Sequence, residues 1–216
     1  MQFSVNREEA ISMRSLLFQI VAIMIVGGTF AMLKGLKKKP SFLLRQSSSF
    51  TKLQVTAIPS ATVDVVTPSG DSTYAFSEAD LATVLKGHKK AVLFAVPGAF
   101  TPTCSGKHLP GFIDNYAALK AKGVDAVYCL SVNDKYVMRA WAEATPGCKD
   151  TGITLIADGN GDFAKAFGLS KDSSGSKMGT RCTRFAAIVE EGNVTSLQVD
   201  EKGLDKSSAE NILSLL

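Results

Sequence analysis

Cys104 stands eight residues after Val96, where an apolar run gives way to a helical pattern, and a thiol in that place can act as a nucleophile. In the first turn of a helix the backbone N–H groups have no intrahelical partner and the helix dipole is positive, so the thiolate is favoured over the thiol. Pro97 and Pro102 lack backbone donors and stiffen the loop that must hold the sulfur. Thr101, three residues ahead, is expected to place its hydroxyl beside the sulfur. Arg184, at the head of a later strand, is positioned to supply a cation. Together these residues describe an activated thiol. His108 lies one helical turn beyond and could pass for a general base. The expected role is packing or a structural hydrogen bond, since a thiolate already favoured by its surroundings needs no base.

The other cysteines, Cys129, Cys148 and Cys182, follow at intervals of 25, 19 and 34 residues. No pair has the close spacing with which a zinc knuckle presents two thiolates, so no metal site is expected. Four cysteines in the last 160 residues are also too few for a disulfide-stapled secreted scaffold. Two readings stand: inert core thiols, or a redox pair brought together by the fold. Cys148, in Thr145-Pro146-Gly147-Cys148-Lys149, reads as an exposed loop thiol, and Cys182 as a bystander two residues before Arg184. Gly159-Asn160-Gly161 lacks a phosphate-binding lysine and reads as a turn, so no cofactor is expected. Lys165, Lys171 and Lys177 read as solvated charges, and Trp141 as helix-face packing.

The elements that must position these residues follow from periodicity. Thr62–Val66 is β-branched and ends at Pro68-Ser69-Gly70, predicting a strand and a turn. Ser77 followed by Asp80 resembles a capping box, with a short helix over about 78–86. Ala91–Val96 is six apolar residues without a break, which predicts a strand buried on both faces. A helix runs through Ile113, Tyr116 and Leu119 to Gly123. Val124–Ser131 is strand-like, Asp134–Ala144 helical, Ile153–Ala157 a third buried strand and Asp162–Phe167 a short helix. Phe185–Val189 and Val194–Val199 flank Glu191-Gly192-Asn193 and predict a hairpin. Ser207 is expected to cap a last helix. Alternating units followed by an antiparallel hairpin give an α/β, thioredoxin-like fold, a central mixed sheet with helices on both faces.

The charge is unevenly spread. Residues 1–56 carry eight bases against two acids, and the remaining 160 carry sixteen against eighteen. The overall charge of +4 therefore belongs to the leader, and the body lacks the clustered cations that nucleic-acid binding needs. The expected division is a leader over 1–56 and a folded domain over 57–216. Within the leader, 15–33 is uncharged and follows Arg14, as in a signal peptide with a basic flank or a short membrane anchor. From Ala10 to Val63 there is no acidic residue, and the stretch after the apolar segment is basic and Ser-rich. That order resembles the bipartite targeting of algae with secondary plastids. An organelle is expected, a plastid ahead of a mitochondrion. The competing reading is an uncleaved anchor with Lys34, Lys37, Lys38 and Lys39 on the cytoplasmic side, which would make the leader the chain's contact with a membrane.

The segment Pro97-Gly98-Ala99-Phe100-Thr101-Pro102-Thr103-Cys104-Ser105 resembles the active-site signature of peroxiredoxins. With His108-Leu109-Pro110-Gly111-Phe112 it is similar to the type II form, and the likeness continues through Cys129-Leu130-Ser131-Val132-Asn133-Asp134, Ala140-Trp141, Ala157-Asp158 and Arg184-Phe185. The resemblance covers about Ala57 to Leu216. It implies a thiol-dependent peroxidase in which Cys104 attacks the O–O bond of hydrogen peroxide or an alkyl hydroperoxide and becomes a sulfenic acid. It implies that Thr101 orients the peroxide and hydrogen-bonds the sulfur, and that Arg184 stabilises the thiolate and the leaving oxygen. It further implies that Pro97 shields the sulfenic acid, and that the N–H groups of Thr103 and Cys104 bind the peroxide oxygens. Cys129 matches the resolving cysteine of plant and algal members, and the C-terminal stretch Val199–Asn211 has none of the kind that animal members use. Glutaredoxin with glutathione, or thioredoxin, is the implied reductant, and a homodimer the implied assembly.

Two other functions compete. A disulfide oxidoreductase on the same fold would use a dithiol or a Cys-x-x-Ser turn, but the fourth position after Cys104-Ser105-Gly106 is Lys107. A non-enzymatic redox sensor or holdase would use the oxidised thiol only to signal.

Overall fold

The unbroken apolar run Ala91–Val96 forms β3, every residue of which is buried. In the computed structural model, which describes residues 57–69 and 74–216, β3 lies between two different kinds of neighbour. On one side it pairs in parallel with β4 (Ala126–Ser131), which pairs in parallel with β5 (Thr154–Ala157). On the other it pairs antiparallel with β8 (Arg184–Glu190), which turns back into β9 (Asn193–Asp200) as the predicted hairpin. β1 (Thr62–Pro68) joins β5 antiparallel, and β2 (Tyr74–Asp80) completes the far edge, giving the order β2-β1-β5-β4-β3-β8-β9. This is the mixed sheet expected from the sequence. The expectations for 1–56, and for Gly70 in the first turn, lie outside the described residues.

Alternation along the strands divides the apolar residues between two faces. Val92, Phe94, Val96, Val127 and Cys129 face α2 (Leu109–Asp114), α3 (Tyr116–Ala121), α4 (Lys135–Ala144) and α6 (Ala209–Leu215), whose Phe112, Leu119, Met138, Trp141 and Ile212 fill the same cluster. Leu93, Ala95, Leu130 and Ile156 face α1 (Leu81–Lys86) and α5 (Asp162–Ala166), through Leu81, Leu85 and Phe163. Helices thus cover both faces.

Four local expectations change. The stretch around Ser77 is strand, not helix, because Tyr74–Asp80 pairs with β1 over seven residues; a sheet ladder of that length outweighs one capping box. Asp80 caps α1 instead, its carboxylate accepting from the Thr83 N–H at 2.8 Å. The helix expected through Ile113 to Gly123 is divided at Asn115 into α2 and α3. At the C-terminus the cap is Ser208, which accepts from the Asn211 N–H, while Ser207 is held by Asp200 through both its N–H and its hydroxyl. A ribbon of β6 (Ser170–Asp172) and β7 (Thr180–Cys182), too short and polar to show a pattern, precedes β8.

Candidate active site

The end of β3 delivers the chain into the loop Pro97–Thr101. Asn133, just beyond β4, pins that loop. Its Oδ1 accepts from the Ala99 N–H at 3.0 Å and from the Ser131 hydroxyl at 2.7 Å. Phe100 is in the left-handed region at φ 60° and is 55% exposed. For a bulky residue this conformation costs about 1–3 kcal/mol and persists only where the surroundings enforce it. The helix that follows begins at Pro102 and widens at once into a π-turn, Cys104–His108, in which the Leu109 N–H reaches back to the Cys104 carbonyl. Such wider turns are frequent at functional sites. Trp141 of α4 fastens the turn by donating its indole N–H to the Ser105 hydroxyl at 2.9 Å, so it does more than pack.

Cys104 is wholly buried at the head of the π-turn. The Arg184 guanidinium comes from the start of β8, 80 residues away in sequence, and its Nη2 donates to the Cys104 Sγ at 3.4 Å. Arg184 is itself only 6% exposed, and none of the carboxylate ion pairs among the described residues includes it. A buried cation with no carboxylate in direct ion-pair contact is costly, and Asp200, opposite it on β9, has its carboxylate taken by the N–H groups of Asp205, Lys206 and Ser207. The group in contact with it that can become an anion is the Cys104 sulfur.

The second arm of the guanidinium goes to His108. Nη1 lies 2.9 Å from His108 Nδ1, and His108 Nε2 lies 2.9 Å from the Ser207 carbonyl. Burial pushes the imidazole down to about 4, so the ring is neutral at pH 7. His108 thus makes structural hydrogen bonds, and one of its two partners is Arg184.

Thr101 is adjacent to the site but donates its hydroxyl proton to the Gly98 carbonyl at 2.9 Å. A hydroxyl has one proton, so the expected hydrogen bond from Thr101 to the sulfur is not made; the carbonyl three residues back takes the proton. Pro97 and Arg184 line a cavity of about 330 Å³ together with Lys171, Asp200, Glu201 and Lys202.

Cys129 lies in β4, fully buried in the same cluster as Cys104, and burial raises its thiol well above the ordinary range. All four cysteines are free. Cys148 is not the exposed loop thiol that its flanks predict. After α4 the chain folds back, with Cys148 N–H bonded to the Thr145 carbonyl and the Thr151 hydroxyl to the Cys148 carbonyl, and this turns the sulfur into the cluster beside Tyr74. Burial pushes that thiol up to about 11. Cys182 is buried against the opposite face, and burial raises it too.

Sequence reasoning missed three supports of the site: the His108–Arg184 bond, the Asn133 pin and the Trp141–Ser105 bond. Each joins residues 34 to 76 positions apart. The local signal available was the placement of His108 one turn beyond the thiol.

The family model described as Redoxin matches residues 56–213. Over 162 residues, 74% of this chain and 70% of the relative, the sequence is 45% identical to "Peroxiredoxin-2E-2, chloroplastic" of Oryza sativa subsp. japonica. It is 43% identical to "Peroxiredoxin-2B" of Arabidopsis thaliana over 164 residues, 73% of this chain and 99% of that one. Among solved structures, reduced Prx3 of Vibrio vulnificus in complex with H2O2 superposes with a TM-score of 0.67 at 42% identity, covering 75% of this chain and 97% of that one.

Proposed function

The chain belongs to the redoxin family and, within it, to the type II peroxiredoxins, which are thiol-dependent peroxidases, and we propose that its turnover runs through a sulfenic acid on Cys104. The observation that carries this reading is the buried Arg184 guanidinium, free of any carboxylate partner among the described residues, with its Nη2 3.4 Å from the Cys104 sulfur. A relative with 42% identity whose structure holds H2O2 adds support.

In the proposed step the Cys104 thiolate attacks one oxygen of a hydroperoxide. The S–O bond forms as the O–O bond breaks, and the departing oxygen leaves as hydroxide or alkoxide and takes a proton. Arg184 faces the charge that moves from sulfur to oxygen, and preorganised stabilisation of this kind is usually the largest catalytic term. Thr101, its proton already held by Gly98, has lone pairs with which to accept the peroxide O–H. The N–H groups of Thr103 and Cys104, in the first turn of the helical segment, are proposed to receive peroxide oxygens. Pro97 shields the sulfenic acid.

Cys129 is the proposed resolving thiol. Its sulfur displaces water from the sulfenic acid, and the resulting disulfide needs the two sulfurs at about 2 Å. Cys104 is in a helical turn and Cys129 in a strand, so the turn must open locally. The disulfide is then reduced by glutaredoxin with glutathione, or by thioredoxin. The catalytic unit is proposed as 57–216, acting as a homodimer, with 1–56 as an organellar address. Chloroplastic and mitochondrial relatives favour that address, a plastid first. Stopped-flow peroxide consumption is the test of the whole. Cys104→Ser is expected to abolish it with the fold intact, and a retained tenth of the wild-type rate would overturn the assignment.

A further inference from the structure

We propose that His108 is a positioning residue for Arg184: it clamps one arm of the guanidinium so that the other is aimed at the Cys104 sulfur. This inference rests on the peroxidase reading above and adds to it a residue that never touches the peroxide.

The hydrogen positions on the ring are fixed from two directions. The Ser207 carbonyl can only accept, so His108 Nε2, 2.9 Å away, carries the proton. Arg184 is always charged and can only donate, so Nδ1, 2.9 Å from Nη1, is the bare nitrogen. Both requirements are met by one neutral tautomer. The ring has no freedom to turn, since Phe94 and Phe112 pack against it with centroids 5.0 and 5.6 Å away. Its anchor is equally fixed, because Ser207 is tied to Asp200 by its N–H at 2.9 Å and its hydroxyl at 2.7 Å. The result is a continuous chain, Asp200–Ser207–His108–Arg184–Cys104, running from the end of β9 to the reactive sulfur.

The chain matters because a guanidinium is a planar fork on a long flexible stem. Holding Nη1 fixes the plane of the fork, and the plane sets the direction of Nη2. His108 and Cys104 also occupy the two ends of the same π-turn. Opening that turn, as a Cys104–Cys129 disulfide requires, removes both partners of Arg184 together. The clamp is therefore present when the thiol is set to react and is withdrawn when resolution begins.

Two substitutions separate clamping from packing. His108→Asn keeps an acceptor, Oδ1, where Nδ1 stood and loses the donor to Ser207. His108→Gln keeps a donor near the Nε2 position and has no acceptor at the Nδ1 position that Arg184 meets. In the full chain, the second-order rate with hydrogen peroxide is expected to stay within about threefold of wild type in H108N and to fall about 10- to 100-fold in H108Q, the range for losing a hydrogen bond to a charged group. Equal losses in the two variants, or a larger one in H108N, would overturn the proposal. A double-mutant cycle adds a readout that packing alone does not move. In an R184A background, H108Q is expected to cost nothing further, whereas additive losses mean that His108 does not act through Arg184. A third measurement needs no variant. The sequence has two histidines, so nitrogen NMR of the unmodified protein can assign the His108 ring. At pH 7 a neutral ring protonated on Nε2 is expected, and a charged ring or one protonated on Nδ1 contradicts the clamp. Loss of all peroxide turnover in wild type would instead remove the peroxidase reading itself and leave the NMR result standing.

Discussion

Cys104 and Cys148 occupy the same apolar cluster, and neither is exposed at all. Cys148 sits beside Tyr74, whose hydroxyl has no hydrogen-bonding partner among the described residues, and burial pushes its thiol up to about 11. An anion there would have a phenol hydroxyl beside it but no cation. Cys104 has a buried guanidinium 3.4 Å from its sulfur, held in turn by a neutral imidazole. Burial is shared, so it is not what separates the two. The difference lies in a cation that the fold has also buried and that, among the described residues, makes no carboxylate ion pair, and for which a thiolate is the fitting partner. A cysteine count, or a list of buried thiols, would have ranked these two residues alike.

The comparison breaks most directly at Arg184. Arg184→Lys is expected to lower the rate with peroxide on the order of 10²–10³-fold, the usual loss when a preorganised donor is removed. A lysine keeps the charge but cannot reach the sulfur and His108 Nδ1 together. Stopped-flow measurement of the second-order rate constant checks this, and a wild-type rate would mean that charge alone distinguishes the two thiols. A smaller and conditional effect is expected at the third member of the cluster. Cys129→Ser should lose most of its turnover with thioredoxin and keep a substantial part with glutaredoxin and glutathione, because a small thiol can reach a sulfenic acid that has lost its internal partner. Coupled reductase assays with each reductant measure the split, and equal turnover with both would remove Cys129 from the cycle. The smallest effect on chemistry is expected at Cys148. Cys148→Ser should leave the peroxide rate at the wild-type value while lowering stability by about 1–3 kcal/mol, the cost of a poorly bonded buried hydroxyl. Denaturant unfolding reads the second quantity, and a slowed peroxide reaction would show that Cys148 is not inert.

The parts of the molecule that were legible in the sequence are those in which local pattern and tertiary role agree. Ala91–Val96 is apolar throughout because both faces of β3 are covered. The hairpin of β8 and β9 declares itself by two alternating runs around a short turn. Ser77 misled because a local capping signal competed with seven residues of pairing to β1, a partner the local window does not contain. Cys148 misled because Pro146, Gly147 and Lys149 mark an exposed loop, while the backbone bonds that fold its sulfur inward leave no trace in composition. At the site, Cys104, Thr101 and Pro97 lie within eight residues and were readable as one motif. Arg184 could be guessed as a distant cation. That its second arm would be held by His108 could not, since the two are 76 residues apart and neither signals the other. Helical spacing puts the Thr101 hydroxyl beside the sulfur and the resemblance implies a bond to it, and neither registers the Gly98 carbonyl that takes its proton.

The central claim is that, of four buried thiols, the one opposite Arg184 is the one that meets peroxide. Trapping of sulfenic acid with dimedone during exposure of the Cys129→Ser chain to one equivalent of hydrogen peroxide, followed by peptide mapping, tests it directly. The adduct is expected on Cys104 and nowhere else. A principal adduct on Cys148 or Cys182, with Cys104 unlabelled, would contradict the account.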